Sequence, residues 1–190
     1  MACLILFTDG SCLGNGKEDS SKSHGGIGIY HEPNSKFNIS ETFEGKQTNQ
    51  TAELMAIIRA LEITKEIKEY ESLEIKSDST YAISGITQWM KNWKRNNWRR
   101  KVQGQDADVA NLELWKRLDE LISSHPLKEK ITWTKVSGHA GVKGNESADK
   151  LAVKASKESM KKKTHSKPKK TKKKDKEDEE KEPEAKRRKI

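Results

Sequence analysis

What most constrains the fold is the order in which two hydrophobic periods follow one another along the chain. Apolar runs of strand length come first. Leu4-Ile5-Leu6-Phe7 runs into the turn-forming Asp9-Gly10-Ser11, a loop from Leu13 to about Gly26 follows, and Ile27-Gly28-Ile29-Tyr30 is the second run. Glu32-Pro33-Asn34-Ser35 separates it from a third, Phe37 to Phe43, so the early strands read as antiparallel. From Asn49 to about Ile67 the period becomes helical. Leu54, Ile57, Ile58 and Leu61 share one face, Arg59, Glu62, Lys65 and Glu66 the other, and Asn49 or Thr51 is placed to cap the helix. Leu73 to Asp78 alternates as a fourth strand, helical patterns fill 80–122, and Ile131 to Val136 is the fifth strand. A last helix is expected from about Asn145 through Leu151 to Ala155. Hairpin strands followed by strands alternating with helices specify an α/β chain: a mixed sheet with helices against its faces.

Composition sets where that fold ends. Of the chain's 38 basic and 29 acidic residues, fifteen and seven fall between Lys161 and Ile190, which contain no aromatic residue and only Ile190 as a large aliphatic. Such a segment cannot bury enough apolar surface to offset its ordering entropy. The expected division is a folded domain at 1–158 and a disordered Lys-rich tail at 159–190. The remaining 23 basic and 22 acidic residues nearly balance, so the folded part can attract a polyanion only by local clustering of charge.

Cys3 and Cys12 lie close together with few other metal-ligating residues nearby, which argues against a disulfide scaffold or zinc knuckle and fits reduced thiols in a reducing compartment. No apolar run reaches the roughly 18 residues of a membrane span, and no secretory signal is expected.

Asp9, Glu53, Asp78 and Asp149 each have a structural reading, as solvated turn acids or as complements to a helix dipole. Their settings form an ordered series: Thr8-Asp9-Gly10-Ser11, Thr48-Asn49-Gln50-Thr51-Ala52-Glu53, Ser77-Asp78-Ser79, then Gly138-His139-Ala140-Gly141 with Gly144-Asn145-Glu146-Ser147-Ala148-Asp149. This series resembles ribonuclease H type 1, over roughly Met1 to Ser156. The resemblance implies the ribonuclease H-like fold, a five-stranded mixed sheet flanked by helices. It also implies an endonuclease that hydrolyses the RNA strand of RNA–DNA hybrids, with 5′-phosphate and 3′-hydroxyl products and little sequence preference. The four acids would gather at one edge of the sheet as ligands of two Mg²⁺ ions, for which Mn²⁺ can substitute. Hard oxygen donors suit such ions, and crowded carboxylates lacking a cation raise one another's pKa. Two ions about 3.5–4 Å apart can activate the attacking water and stabilise the leaving oxygen. The resemblance implies Asp9 as the bridging ligand, Glu53 as the carboxylate near the scissile phosphate and water, and Asp149 as completing the shell on the nucleophile side. His139, in a glycine-flanked loop, is implied to assist proton transfer or product departure rather than to bind metal.

Substrate grip is expected from Trp89 to Lys101, where Trp89, Trp93 and Trp98 interleave with six cations: Lys91, Lys94, Arg95, Arg99, Arg100 and Lys101. On a helix Trp89 and Trp93 share a face that packs the segment onto the body, leaving the cations as a phosphate-binding ridge. The segment resembles the basic protrusion of cellular type 1 enzymes and implies contact with the DNA strand. Asn15, Asn49 and Gln50 match the family's positions for reading 2′-hydroxyls in the minor groove. Thr48 and Lys46 match a DNA-phosphate contact. Lys17 to His24 reads as an insertion, and the match starting at the first strand leads us to expect no separate N-terminal hybrid-binding module.

In the tail, the basic blocks Lys167 to Lys174 and Lys186-Arg187-Arg188-Lys189 flank an acidic patch and read as nuclear localisation signals or nucleic-acid arms. The expected partners are an RNA–DNA hybrid and an import receptor, for a monomeric nuclear protein. The competing readings are a catalytically idle hybrid-binding module, against which four intact acids facing a polyanion argue, and an integrase or junction resolvase of the same superfold.

Overall fold

The protein's structure, a computed structural model, describes residues 2–14 and 23–165. Five strands form the central sheet: β1 (Cys3–Leu13), β2 (His24–Tyr30), β3 (Ile39–Thr42), β4 (Ser72–Ser77) and, last in the chain, Ile131–Lys135. Two further strands, β5 (Arg99–Val102) and β6 (Gln105–Asp108), form a separate hairpin, which makes Ile131–Lys135 β7. The helices are α1 (Asn49–Thr64), α2 (Thr80–Ser84), α3 (Met90–Arg95), α4 (Leu112–Ser124) and α5 (Lys143–His165), with a π-helical turn at Gly85–Trp89 between α2 and α3. The sheet order is β3-β2-β1-β4-β7. β1 pairs antiparallel with β2 but parallel with β4, and β4 pairs parallel with β7. This is the five-stranded mixed sheet flanked by helices expected from the sequence.

The pleat assigns the two faces of β1. Leu4 and Leu6 are buried in a core with Leu54, Ile57, Ile58 and Leu61 of α1 and Leu73 and Ile75 of β4. Trp115 and Leu118 of α4, both fully buried, close that core. Helix α5 packs on β1, β2 and β3. It lies so close that a Cβ on Gly28 would come within 2.0 Å of the Ala148 carbonyl oxygen, so the backbone approach requires glycine there. Ala148, Ala152 and Ala155 are the small buried residues of α5 that permit it.

Four features differ from the sequence reading. β1 does not end at Asp9 but continues to Leu13, pairing Asp9 with Gly28 and Leu13 with His24. The turn-forming Asp9-Gly10-Ser11 is overridden because β2 supplies a complete antiparallel partner. The cap of α1 is Thr48: its hydroxyl accepts from Thr51 N at 3.1 Å, while Thr51 Oγ1 accepts from Thr48 N at 2.9 Å. The interval 80–122 is not wholly helical, because β5 and β6 carry almost no apolar residues and so lack a period-2 signal. Gln103 and Gly104, both at positive φ, turn the hairpin. Helix α5 runs to His165, past the expected boundary at 158, since Lys sustains a helix and Ser159 is still buried against the body. The rest of the tail, Asn15 and residues 17–22 of the insertion lie outside the described residues. Among the described residues no helix is long and apolar enough to cross a membrane.

Candidate active site

The site arises where parallel pairing of β1 and β4 stops. Their ladder ends at Phe7–Lys76, β4 itself ends at Ser77, and β1 continues alone on that side through Asp9. A cleft therefore opens at the carboxyl end of β4, beside the strand that reverses the sheet's direction, as ligand sites do in open α/β sheets. Asp9 lies on the floor of this cleft, 7% exposed, and Asp78 is the first residue after β4. Glu53 comes from the first turns of α1. That helix crosses β1 so tightly that a Cβ on Gly10 would fall 2.2 Å from Glu53 N.

The three side chains converge: Asp9, Glu53 and Asp78 each offer an oxygen, and these oxygens lie within 4.8 Å of one another. Asp149 and His139 line the same pocket, with Asn49, Ser11 and Cys12. Asp149 stands outside the 4.8 Å trio, so the four acids expected from the sequence appear as three converging carboxylates and one at the rim. His139 is exposed in the loop before α5, with a positive φ of 52°.

Electrostatics follow from the crowding. Burial, the neighbouring Asp78 and, more weakly, Asp149 push the Asp9 carboxyl up to about 7, against a backbone hydrogen bond from Gly10 N at 2.9 Å. Burial, then Asp9 and Asp78, hold Glu53 well above the usual carboxylate range. Glu53 Oε2 is buried without a hydrogen-bond partner. An all-carboxylate set with an orphaned buried oxygen fits a hard divalent cation, which would restore the ionised forms. Asp78 has one neutral partner: Asn145 Nδ2, in the first turn of α5, donates to Asp78 Oδ2 at 2.9 Å. Asn145 is 3% exposed. Sequence reasoning placed it within a motif but gave it no role; a polar residue at a helix position otherwise facing the sheet was the available signal.

The structure divides the expected substrate-binding residues. Gln50, Trp89 and Trp93 line one groove with Tyr81 and Arg100. Trp93 packs edge-on to the buried Trp115 at a centroid distance of 5.2 Å and lies 5.7 Å from Trp89. Tyr81 Oη anchors this stack, accepting from Trp115 Nε1 at 3.0 Å and Asn111 Nδ2 at 3.1 Å. The helix expected across the whole Trp-basic segment ends at Arg95. Asn97 and Trp98 both take positive φ, which turns Trp98 back towards the core and sends Arg99 into β5. Arg95, Arg99, Arg100 and Lys101 line a second groove on the outside of this protrusion, with Asp106 opposing them. Lys94 is committed to Asp119 at 2.7 Å. Thr48 spends its hydroxyl on the helix cap, and Lys46 lines a different cleft, with Phe43, Met55 and Asn111.

Comparison with known proteins agrees with this architecture. The RNase H family model matches residues 1–157. Ribonuclease H of Clostridium botulinum is 40% identical over 159 residues, covering 83% of this chain and 98% of that protein. Mouse Ribonuclease H1 is 37% identical over 156 residues, 82% of this chain, but the chain spans only about half (51%) of its length. Among solved structures, LC9-RNase H1, described as a type 1 RNase H with the type 2 active-site motif, superposes with a TM-score of 0.62 at 28% identity. That match covers 83% of this chain and 74% of the other. With a family model spanning the described sheet and its carboxylate cleft, and relatives this similar, the chain belongs to the RNase H family.

Proposed function

We propose that this chain is an endonuclease that hydrolyses the RNA strand of RNA–DNA hybrids with two divalent ions, Mg²⁺ or Mn²⁺ in its place. The observation that carries the reading is the convergence of Asp9, Glu53 and Asp78 within 4.8 Å at the end of β4. When bound, the ions supply activation of water and stabilisation of charge at the leaving oxygen. Asp9, central in the cleft, would be shared between the two positions, with Glu53 and Asp78 completing them and Asp149 closing the nucleophile side. His139, exposed on the rim, would pass a proton to or from the reacting oxygens, leaving 5′-phosphate and 3′-hydroxyl ends. Asn49 borders the acids, and Gln50, the next residue, lines the Trp89–Trp93 groove. They are suitably sited to read 2′-hydroxyls while Trp89, Arg99 and Arg100 engage the DNA strand. The basic tail blocks would serve as a nuclear address for a monomeric enzyme, a reading checked by the location of a tail-deleted fluorescent fusion.

Hybrid, duplex DNA and duplex RNA are to be incubated side by side with the protein and Mg²⁺. Cleavage of the RNA strand in the hybrid alone is expected; sparing of the hybrid overturns the reading.

A further inference from the structure

Helix α5 carries a second basic surface unrelated to the Trp protrusion. Lys150, Lys154, Lys157 and Lys161 recur at intervals of four, three and four residues, the spacing that places side chains on one helix face. All four are exposed. In a helix packed on a sheet this spacing ordinarily marks the buried stripe. Here Ala148, Ala152, Ala155 and Ser159 hold the sheet side, and the lysines form the outward stripe. They line a groove with Val153, Glu158 and, at its near end, Asp149 of the carboxylate cleft. Four cations face two acids in that groove, and among the described residues Lys150, Lys154 and Lys157 have no ion-pair or hydrogen-bond partner.

From this geometry we infer that the outer face of α5 is a track for the phosphate backbone of the hybrid where it extends beyond the scissile position. The groove begins at a residue of the site, so a strand held there leaves directly onto the lysines. From Lys150 to Lys161 the helix rises about 16 Å at 1.5 Å per residue, the length of about five base steps. The face carries a net positive charge, four lysines against Asp149 and Glu158, and three of the lysines have no partner among the described residues, which favours a polyanion. Contacts of this kind add affinity without sequence preference. They also lengthen the footprint beyond what the cleft and the Trp protrusion cover.

The inference rests on the hybrid-nuclease reading, and the test separates the two. The full chain and its Lys150→Gln/Lys154→Gln/Lys157→Gln variant are compared on a short hybrid confined to the cleft and on a long one that overruns α5. Binding is measured in chelator over a salt series and cleavage in Mg²⁺. Cleavage of the short hybrid at equal rates by both proteins upholds the parent reading independently of the track. On the long hybrid the variant is expected to lose about 2–3 from the slope of log K against log salt, since each phosphate neutralised contributes about 0.9. A Lys→Arg triple variant is expected to retain the slope. An unchanged slope in the glutamine variant, or equal losses on both hybrids, overturns the track.

Discussion

The Asn145 side-chain amide donates to Oδ2 of Asp78 at 2.9 Å, tying the first turn of α5 to the end of β4. The bond aims one carboxylate of the converging trio and adds no charge to a cleft already crowded with it. Asn145→Ala removes that aim and leaves Asp78 free to turn. Loss of such a supporting partner typically costs about 10–100-fold in metal affinity or activity. We expect the Mg²⁺ concentration for half-maximal cleavage to rise within that range while cleavage at saturating Mg²⁺ recovers in part. An unchanged Mg²⁺ dependence would show that Asp78 is held by other means.

The raised Asp9 carboxyl links stability to pH and to cations. In the folded chain it binds a proton up to about pH 7, whereas in the unfolded chain it releases it near 3.8. The folded state thus holds more protons between these values, so metal-free stability is greatest below pH 4 from this group and falls as pH rises to 7. The loss is on the order of 2–4 kcal/mol. Thermal melts in chelator are expected to show the decline, and added Mg²⁺ to reverse it most strongly at pH 7–8.

Asp78→Asn tests the same crowding from the other side, since the Asp78 charge is second only to burial in raising Asp9. The variant is expected to lose cleavage yet melt about 2–4 °C higher in chelator, as a gain of about 1 kcal/mol would give. A lower melting temperature would mean that the carboxylate is worth more to the fold than its repulsion costs.

His125 titrates with the opposite sign. It is 2% exposed; its Nδ1 accepts from Leu127 N at 3.1 Å, so Nε2 carries the proton and donates to Thr64 Oγ1 at 3.1 Å. Burial, aided by the Lys65 charge, lowers its pKa below the ordinary 6.5. Its contribution to stability is complete above pH 6.5 and is lost as pH falls through the folded value. With Mg²⁺ present to hold the carboxylates ionised, stability should decline as pH falls below 6.5. His125→Asn should flatten that slope even if it lowers the plateau.

Trp89 and Trp93 separate binding from folding. Trp89 is 36% exposed, whereas Trp93 lies against Trp115. Trp89→Ala is expected to weaken hybrid binding by about 1–3 kcal/mol with little change in melting temperature. Trp93→Ala should lower stability by about 2–4 kcal/mol as well. Equal effects on melting would show that both rings serve the core.

The sequence alone determined the mixed sheet, because apolar periods of two and 3.6 are local and the antiparallel strands precede the alternating ones. Asp9, Glu53, Asp78 and Asp149 stood out for a related reason: each stands in a short motif, and the motifs follow one another in order. Tertiary structure decided what local signals do not carry. Asp9 is embedded in a strand because β2 pairs it through Leu13, and a turn-forming triplet yields to a full ladder. The β5–β6 hairpin has no apolar alternation to reveal it, so only closure at Gln103-Gly104 makes it visible. Asn145 acquired its role, and the α5 lysines their shared face beside Asp149, only when α5 packed on the sheet. Both depend on the contact of residues distant in the chain, which no period in the sequence records.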